Sequence, residues 1–214
     1  MIAKEKLNIL WSLEQTAEKY ADRVAVSDVN QELTWKELVK KAQVIGVELS
    51  EKVQPGNPVP VLLEKSSETL AVMLGIVYAG CFYVPVNPMN PAERLRKIME
   101  KLEPEVIISD EKGKEQLAAV GIGLEEKVIG PETLLATTGT DLSEEQRSKL
   151  EQIQGQWKET DALYGIFTSG STGTPKAIVV SHGAASRFIR HFTEIFEITS
   201  EDVIGNQAPF DFDV

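Results

Sequence analysis

The segment Thr168-Ser169-Gly170-Ser171-Thr172-Gly173-Thr174-Pro175-Lys176 gathers the side chains of this sequence best suited to holding an anion. Gly170 and Gly173 admit positive φ, so consecutive amides can turn inward and form an anion-binding concavity. Thr168, Ser169, Ser171, Thr172 and Thr174 add hydroxyl donors, Lys176 adds a charge on a flexible stem, and Pro175 stiffens the exit. Such a loop suits polyphosphate oxygens. The same composition also serves a plain Ser/Thr/Gly connection between two strands. Two features favour the binding role: the loop follows an apolar strand (Leu163, Gly165, Ile166, Phe167), and it ends in Pro-Lys. It is not a Walker loop, which needs G-x-x-x-x-G-K followed by a helix. Gly170 to Lys176 has the wrong spacing, and Ile178-Val179-Val180 reads as a strand, which disfavours a nucleotide kinase or GTPase.

Thr168 to Lys176 resembles the phosphate-binding loop of the adenylate-forming superfamily, which includes acyl-CoA synthetases, luciferases and the adenylation domains of nonribosomal peptide synthetases. The family usually has Gly after the lysine; here it is Ala177, which asks only for a conventional backbone angle. Two further segments agree, in the right order. Tyr78-Ala79-Gly80-Cys81-Phe82-Tyr83-Val84-Pro85-Val86-Asn87-Pro88 resembles the upstream helix-to-strand motif of the family. Phe210-Asp211-Phe212-Asp213-Val214 resembles the substrate-pocket motif of its amino-acid-activating branch.

The resemblance implies a chemistry. Thr168, Ser169, Gly170, Ser171, Thr172, Gly173 and Lys176 would contact ATP phosphates, and with Mg²⁺ offset charge on departing pyrophosphate while a carboxylate attacks the α-phosphorus. Asp213, beside Phe212, would pair with the α-ammonium of an amino acid. The acyl group would pass to a thiol, commonly the phosphopantetheine arm of a carrier protein. Beginning at Met1 favours a stand-alone ligase or an initiating module, and the sequence is similar to D-alanine–carrier protein ligases. Alternatives are an acyl-CoA synthetase for a fatty or aryl acid and a nucleotide-binding fragment without chemistry. The adenine-stacking aromatic, ribose-binding Asp and catalytic Lys of the family have no counterparts in residues 1–214, so the catalytic Lys is expected beyond 214 and these residues alone are expected to be inactive.

Other candidates carry less. His182 lies just after the strand that follows the loop, so it either approaches the nucleotide or is a hydrogen-bonded structural histidine. His191, among Arg187 and Arg190, reads as a solvated face, and Phe188, Phe192 and Phe196 as a packing stripe. Cys81, set among small and apolar neighbours, reads as a buried hydrophobe. No Cys/His cluster suggests zinc.

Elements that position the loop are legible from periodicity. Leu10, Leu13, Ala17 and Tyr20 recur at helical spacing; short strands at Val24–Ser27 and Glu32–Thr34 flank a turn. Thr34-Trp35-Lys36-Glu37 reads as a capping box opening a helix whose buried face is Leu38, Ala42, Ile45 and Leu49. A buried strand spans 59–63, Ser66 caps an all-round apolar helix through Ala79, and Phe82–Val86 is the next strand. Asn90-Pro91-Ala92-Glu93 reads as N-cap, first-turn proline and boxed Glu. The helix it opens buries Leu95, Ile98, Met99 and Leu102, and a strand at Val106–Ser109 follows.

After a polar loop and a charged helix come strands Ala162–Thr168 and Ala177–Ser181, a helix from Gly183 to Phe196, and a strand at Val203–Ala208. That last strand would leave the open edge of a second sheet. The alternation predicts an α/β fold with mostly parallel sheets flanked by helices, the first part of the large N-terminal domain of an adenylate-forming enzyme. A first subdomain would occupy 1–155 and the start of a second 156–214.

Composition sets the outer limits. With 214 residues and 42% hydrophobic content the chain can build a real core. A net charge of −11 is a poor match for nucleic acid or anionic lipid. Its longest apolar run, Leu70 to Ala79, falls short of the roughly 20 residues that cross a bilayer. A single cysteine and no recognisable leader fit a cytoplasmic protein.

Overall fold

Local chemistry sets where the elements begin, and the computed structural model describes residues 7–136, 141–168 and 175–211. In chain order, α1 (Ile9–Lys19) leads to a hairpin of β1 (Val24–Ser27) and β2 (Glu32–Thr34), then α2 (Trp35–Ser50), β3 (Pro58–Leu62) and α3 (Ser67–Tyr78). Next come β4 (Phe82–Pro85), α4 (Ala92–Leu102), β5 (Ile107–Ser109) and α5 (Glu111–Val120). β6 (Val128–Ile129), α6 (Pro131–Leu135) and α7 (Glu144–Gly155) precede β7 (Ala162–Thr168), β8 (Lys176–Ser181) and α8 (His182–Ile195).

The capping box opening α2 is present: the Thr34 hydroxyl accepts from the Glu37 amide at 3.3 Å, and the Glu37 carboxylate accepts from the Thr34 amide at 2.8 Å. The Ser66 hydroxyl caps α3 by accepting from the Thr69 amide. α4 begins one residue later than its sequence pattern suggests. Pro91, with ψ 141°, is its N-cap and makes no side-chain cap bond. Asn90 instead closes a turn onto the Asn87 carbonyl, and Glu93 pairs forward with Lys97 at 2.9 Å.

A six-stranded sheet, in the order β6-β5-β3-β4-β7-β8, forms the centre; every pairing is parallel except β7 with β8. Mostly parallel strands with helices between them are what the alternating pattern predicts. β7 joins this same sheet through Tyr164 beside Tyr83, so the sheet runs across residue 155. The strand expected at Val203–Ala208 does not form. Val203 is 98% exposed, and the backbone of Asn206 and Ala208 bonds to the Lys65 side chain instead of a neighbouring strand. The open edge therefore falls on β8, where Ile178 and Val179 are exposed.

α2 and α3 cross at glycines. A Cβ on Gly75 would lie 2.3 Å from Ile45 Cγ2, and one on Gly46 would lie 2.4 Å from Tyr78 Cβ. This close approach seals Ile45, Ile76, Val77 and Tyr78 from solvent. The expected α2 face of Leu38, Ala42, Ile45 and Leu49 is buried, as are Leu95, Ile98 and Met99 on α4. The Phe stripe of α8 behaves differently from its reading. Phe188 and Phe196 are each 63% exposed, and the three rings pack on one another, because no described element lies against that side of the helix.

Candidate active site

β7 and β8 form an antiparallel hairpin in register from Ala162 opposite Ser181 to Thr168 opposite Lys176. β7 is parallel to β4, so Thr168 stands at the carboxyl end of the sheet, where open α/β sheets bind ligands. Residues 169–174 connect the two strands. Ser169, Gly170, Ser171, Thr172 and Gly173 thus lie outside the described residues, as do Phe212 and Asp213. Of the expected phosphate contacts, Thr168 is half-buried and Lys176 is exposed at the mouth of the hairpin.

Helix α4 runs beside that mouth. Its Arg94 guanidinium donates to the Phe167 carbonyl at 3.1 Å, and the Lys101 ammonium lies 3.5 Å from the Pro175 carbonyl. Arg94, Lys97 and Pro175 line a small cleft there. Sequence reasoning missed this group, because α4 was read only for its buried stripe. The spacing of Arg94, Lys97 and Lys101 (i, i+3, i+7) was the available signal. Glu93 also lines the cleft and pairs with Lys97, while Arg94, Lys101 and Lys176 bring positive charge to this neck of an otherwise acidic chain, an arrangement that can attract and hold phosphate.

A second cleft, of about 220 Å³, opens beyond the carboxyl ends of β3 and β4. Val61, Pro85, Asn87 and Met89 line it together with Phe210 and Asp211. Lys65 tethers the approaching chain through Nζ, with contacts of 2.8 Å to the Asn206 carbonyl, 3.3 Å to its Oδ1 and 3.1 Å to the Ala208 carbonyl. Arg23 anchors the same segment earlier, donating to the Ser200 carbonyl and the Glu201 carboxylate at 3.0 Å.

His182 belongs to neither cleft. It begins α8 at the opposite end of the hairpin from Thr168, about 20 Å away at roughly 3.3 Å per strand residue. Its ring stacks on Trp157 and is 2% exposed; Nδ1 has no hydrogen-bond partner, and burial pushes the pKa down. Of the two readings it is the structural histidine, remote from the loop. His191 is solvated and sits 3.6 Å from Glu194. Cys81 is 2% exposed, donates to the Gln54 carbonyl at 3.3 Å, and burial pushes its thiol up to about 12. Among the described residues no group of His, Cys, Asp or Glu gathers to hold a metal, and no helix is long and apolar enough to cross a membrane.

Comparison with known proteins gives the chain its relatives. Tyrocidine synthase 1 of Brevibacillus parabrevis is 31% identical over 201 residues, 94% of this chain and 18% of that protein. Bacitracin synthase 1 of Bacillus licheniformis is 32% identical over 205 residues, 94% of this chain and 4% of its own length. The chain thus spans less than a fifth of these curated relatives. Among solved structures, the nonribosomal peptide synthetase FmoA3 in its AMPPNP-bound form superposes with a TM-score of 0.79 at 24% identity, covering 97% of this chain and 21% of that one. VinN superposes with a TM-score of 0.73 at 23% identity, covering 89% and 50%. These two likenesses establish a shared fold. The pattern of the AMP-binding enzymes matches residues 13–214, nearly the whole chain, and the chain belongs to that family.

Proposed function

We propose that the protein containing this chain uses ATP to activate a carboxylate, an amino acid, as acyl-AMP and passes the acyl group to the phosphopantetheine thiol of a carrier protein. The observation that carries this reading is the family match over residues 13–214, with the Thr168–Lys176 loop opening at the carboxyl end of β7. The named relatives, being peptide synthases, support the amino-acid branch. D-alanine–carrier protein ligases are a narrower version of the same reading.

In this reading Thr168, Ser169, Gly170, Ser171, Thr172, Gly173 and Lys176 hold the β- and γ-phosphates of ATP. The cationic, hydroxyl-bearing neck fits that load. Magnesium, when bound, adds positive charge to the phosphates, and it typically draws most of its ligands from water and phosphate, so few protein carboxylates are needed. Both reactants are anionic, so Lys176 and the loop amides lower the repulsion between carboxylate and α-phosphorus. Asp213, beside Phe212, holds the substrate α-ammonium, which needs a fixed counter-charge in an apolar pocket. Residues 1–214 alone do not make acyl-AMP, because the family's adenine, ribose and lysine contacts are not among them. Residues 156–214 begin a second subdomain that shares the central sheet through β7 and β8, and the site of action is the cytoplasm.

Pyrophosphate exchange by the whole protein, across amino, fatty and aryl acids, tests the reading. Exchange driven by an amino acid supports it. Exchange driven only by a fatty or aryl acid selects the acyl-CoA synthetase alternative, and no exchange with any acid selects a binding fragment without chemistry.

A further inference from the structure

We propose that Arg94 and Lys101 are positioning residues for the nucleotide, fastening both ends of the phosphate loop from one face of α4. The inference rests on the reading of Thr168–Lys176 as that loop. Seven residues apart, the two side chains lie two helical turns apart on the same face. Arg94 donates to the Phe167 carbonyl, the last backbone acceptor before Thr168, and Lys101 reaches the Pro175 carbonyl, the last before Lys176.

Both carbonyls lie where the sheet ends. Among the described residues β4 is in register with β7 only at Tyr83 and Tyr164, so Phe167 runs past the end of its neighbour. The half-buried Arg94 guanidinium donates to that carbonyl from the open side. Pro175 precedes the first paired residue of β8 and is itself buried, so its carbonyl lies outside the ladder too.

Two consequences follow for an anionic ligand. Holding the loop ends lowers the ordering entropy that phosphate binding must overcome. Placing two cations against the residues that flank the loop raises the potential there, against a chain that carries −11 overall. Neither group is required to touch a phosphate; each acts through the loop.

Calorimetric titration of the whole protein with AMPPNP and Mg²⁺, and separately with its amino acid, distinguishes this role from a general structural one. Arg94→Ala should weaken AMPPNP about tenfold, the loss expected for one charge-assisted bond. Arg94→Lys should recover to within about threefold of wild type, because the charge stays but the guanidinium fork is lost. Lys101→Ala should weaken AMPPNP about threefold, its contact being the longer one. Amino-acid affinity and the melting temperature of the free protein should hold nearly constant. Unchanged AMPPNP affinity in both alanine variants, with Lys176→Ala impaired, overturns the clamp and leaves the loop reading standing. Equal losses of AMPPNP and amino-acid affinity, with a lowered melting temperature, also overturn it by making Arg94 purely structural. If Lys176→Ala binds AMPPNP as wild type does, the loop reading itself fails.

Discussion

Thr168 and Lys176 face each other across the mouth of the β7–β8 hairpin, the last paired residues on either side of the loop. Directly opposed residues of an antiparallel pair project to the same face with Cβ atoms about 5 Å apart. A hydroxyl and an ammonium therefore start from one entrance, and the ladder beneath fixes the separation of their Cβ atoms. This places a donor pair at the point where sheet becomes loop.

Lys176→Ala in the whole protein should weaken ATP binding by about 1.5–3 kcal/mol, the worth of a hydrogen bond to a charged group. Pyrophosphate exchange at subsaturating ATP reads the loss. A wild-type rate in that variant removes Lys176 from phosphate binding.

Asp213→Ala should cost about 2–5 kcal/mol in amino-acid recognition, as when one partner of a buried charge pair is truncated. The wild-type enzyme should also reject the des-amino analogue of its substrate. Equal exchange rates with the amino acid and its des-amino analogue would transfer the assignment to a fatty or aryl acid.

Gly75→Ala should destabilise the fold by about 1–3 kcal/mol, as overpacking does, even though alanine favours a helix. The new Cβ would fall 2.3 Å from Ile45 Cγ2 and 3.1 Å from the Ala42 carbonyl, so α2 and α3 must separate. Urea midpoints of the two proteins measure the difference. Gly155→Ala, where a Cβ meets nothing within 4 Å, is the matched control.

Cys81 should resist thiol reagents in the native state and react once the chain unfolds. Burial raises its folded pKa to about 12, so its contribution is complete below the ordinary thiol range near 8.5 and declines as pH rises above it. The fall in stability from pH 8 to 11 should therefore be shallower in Cys81→Ala than in wild type. Parallel profiles over that range would show that the thiol ionises alike in both states.

The sequence by itself determined the local decisions. Periodicity located α2, α3 and β7, since burying an apolar face on a helix or strand is a property of contiguous residues. Thr34 with Glu37, and Ser66 before α3, fixed helix starts through bonds spanning three residues. The loop, too, was legible, because its Gly, Ser, Thr and Lys are adjacent in the chain. Tertiary structure decided what depends on distant partners. It set Arg94 and Lys101 against Phe167 and Pro175, more than seventy residues later, and drew residues 206–208 onto Lys65 in place of a strand. It sent His182 to the far end of the hairpin from the loop, although only five residues separate it from Lys176. It left the α8 phenylalanines exposed despite their helical period. Period states which residues share a face; only packing decides whether another element comes to cover it.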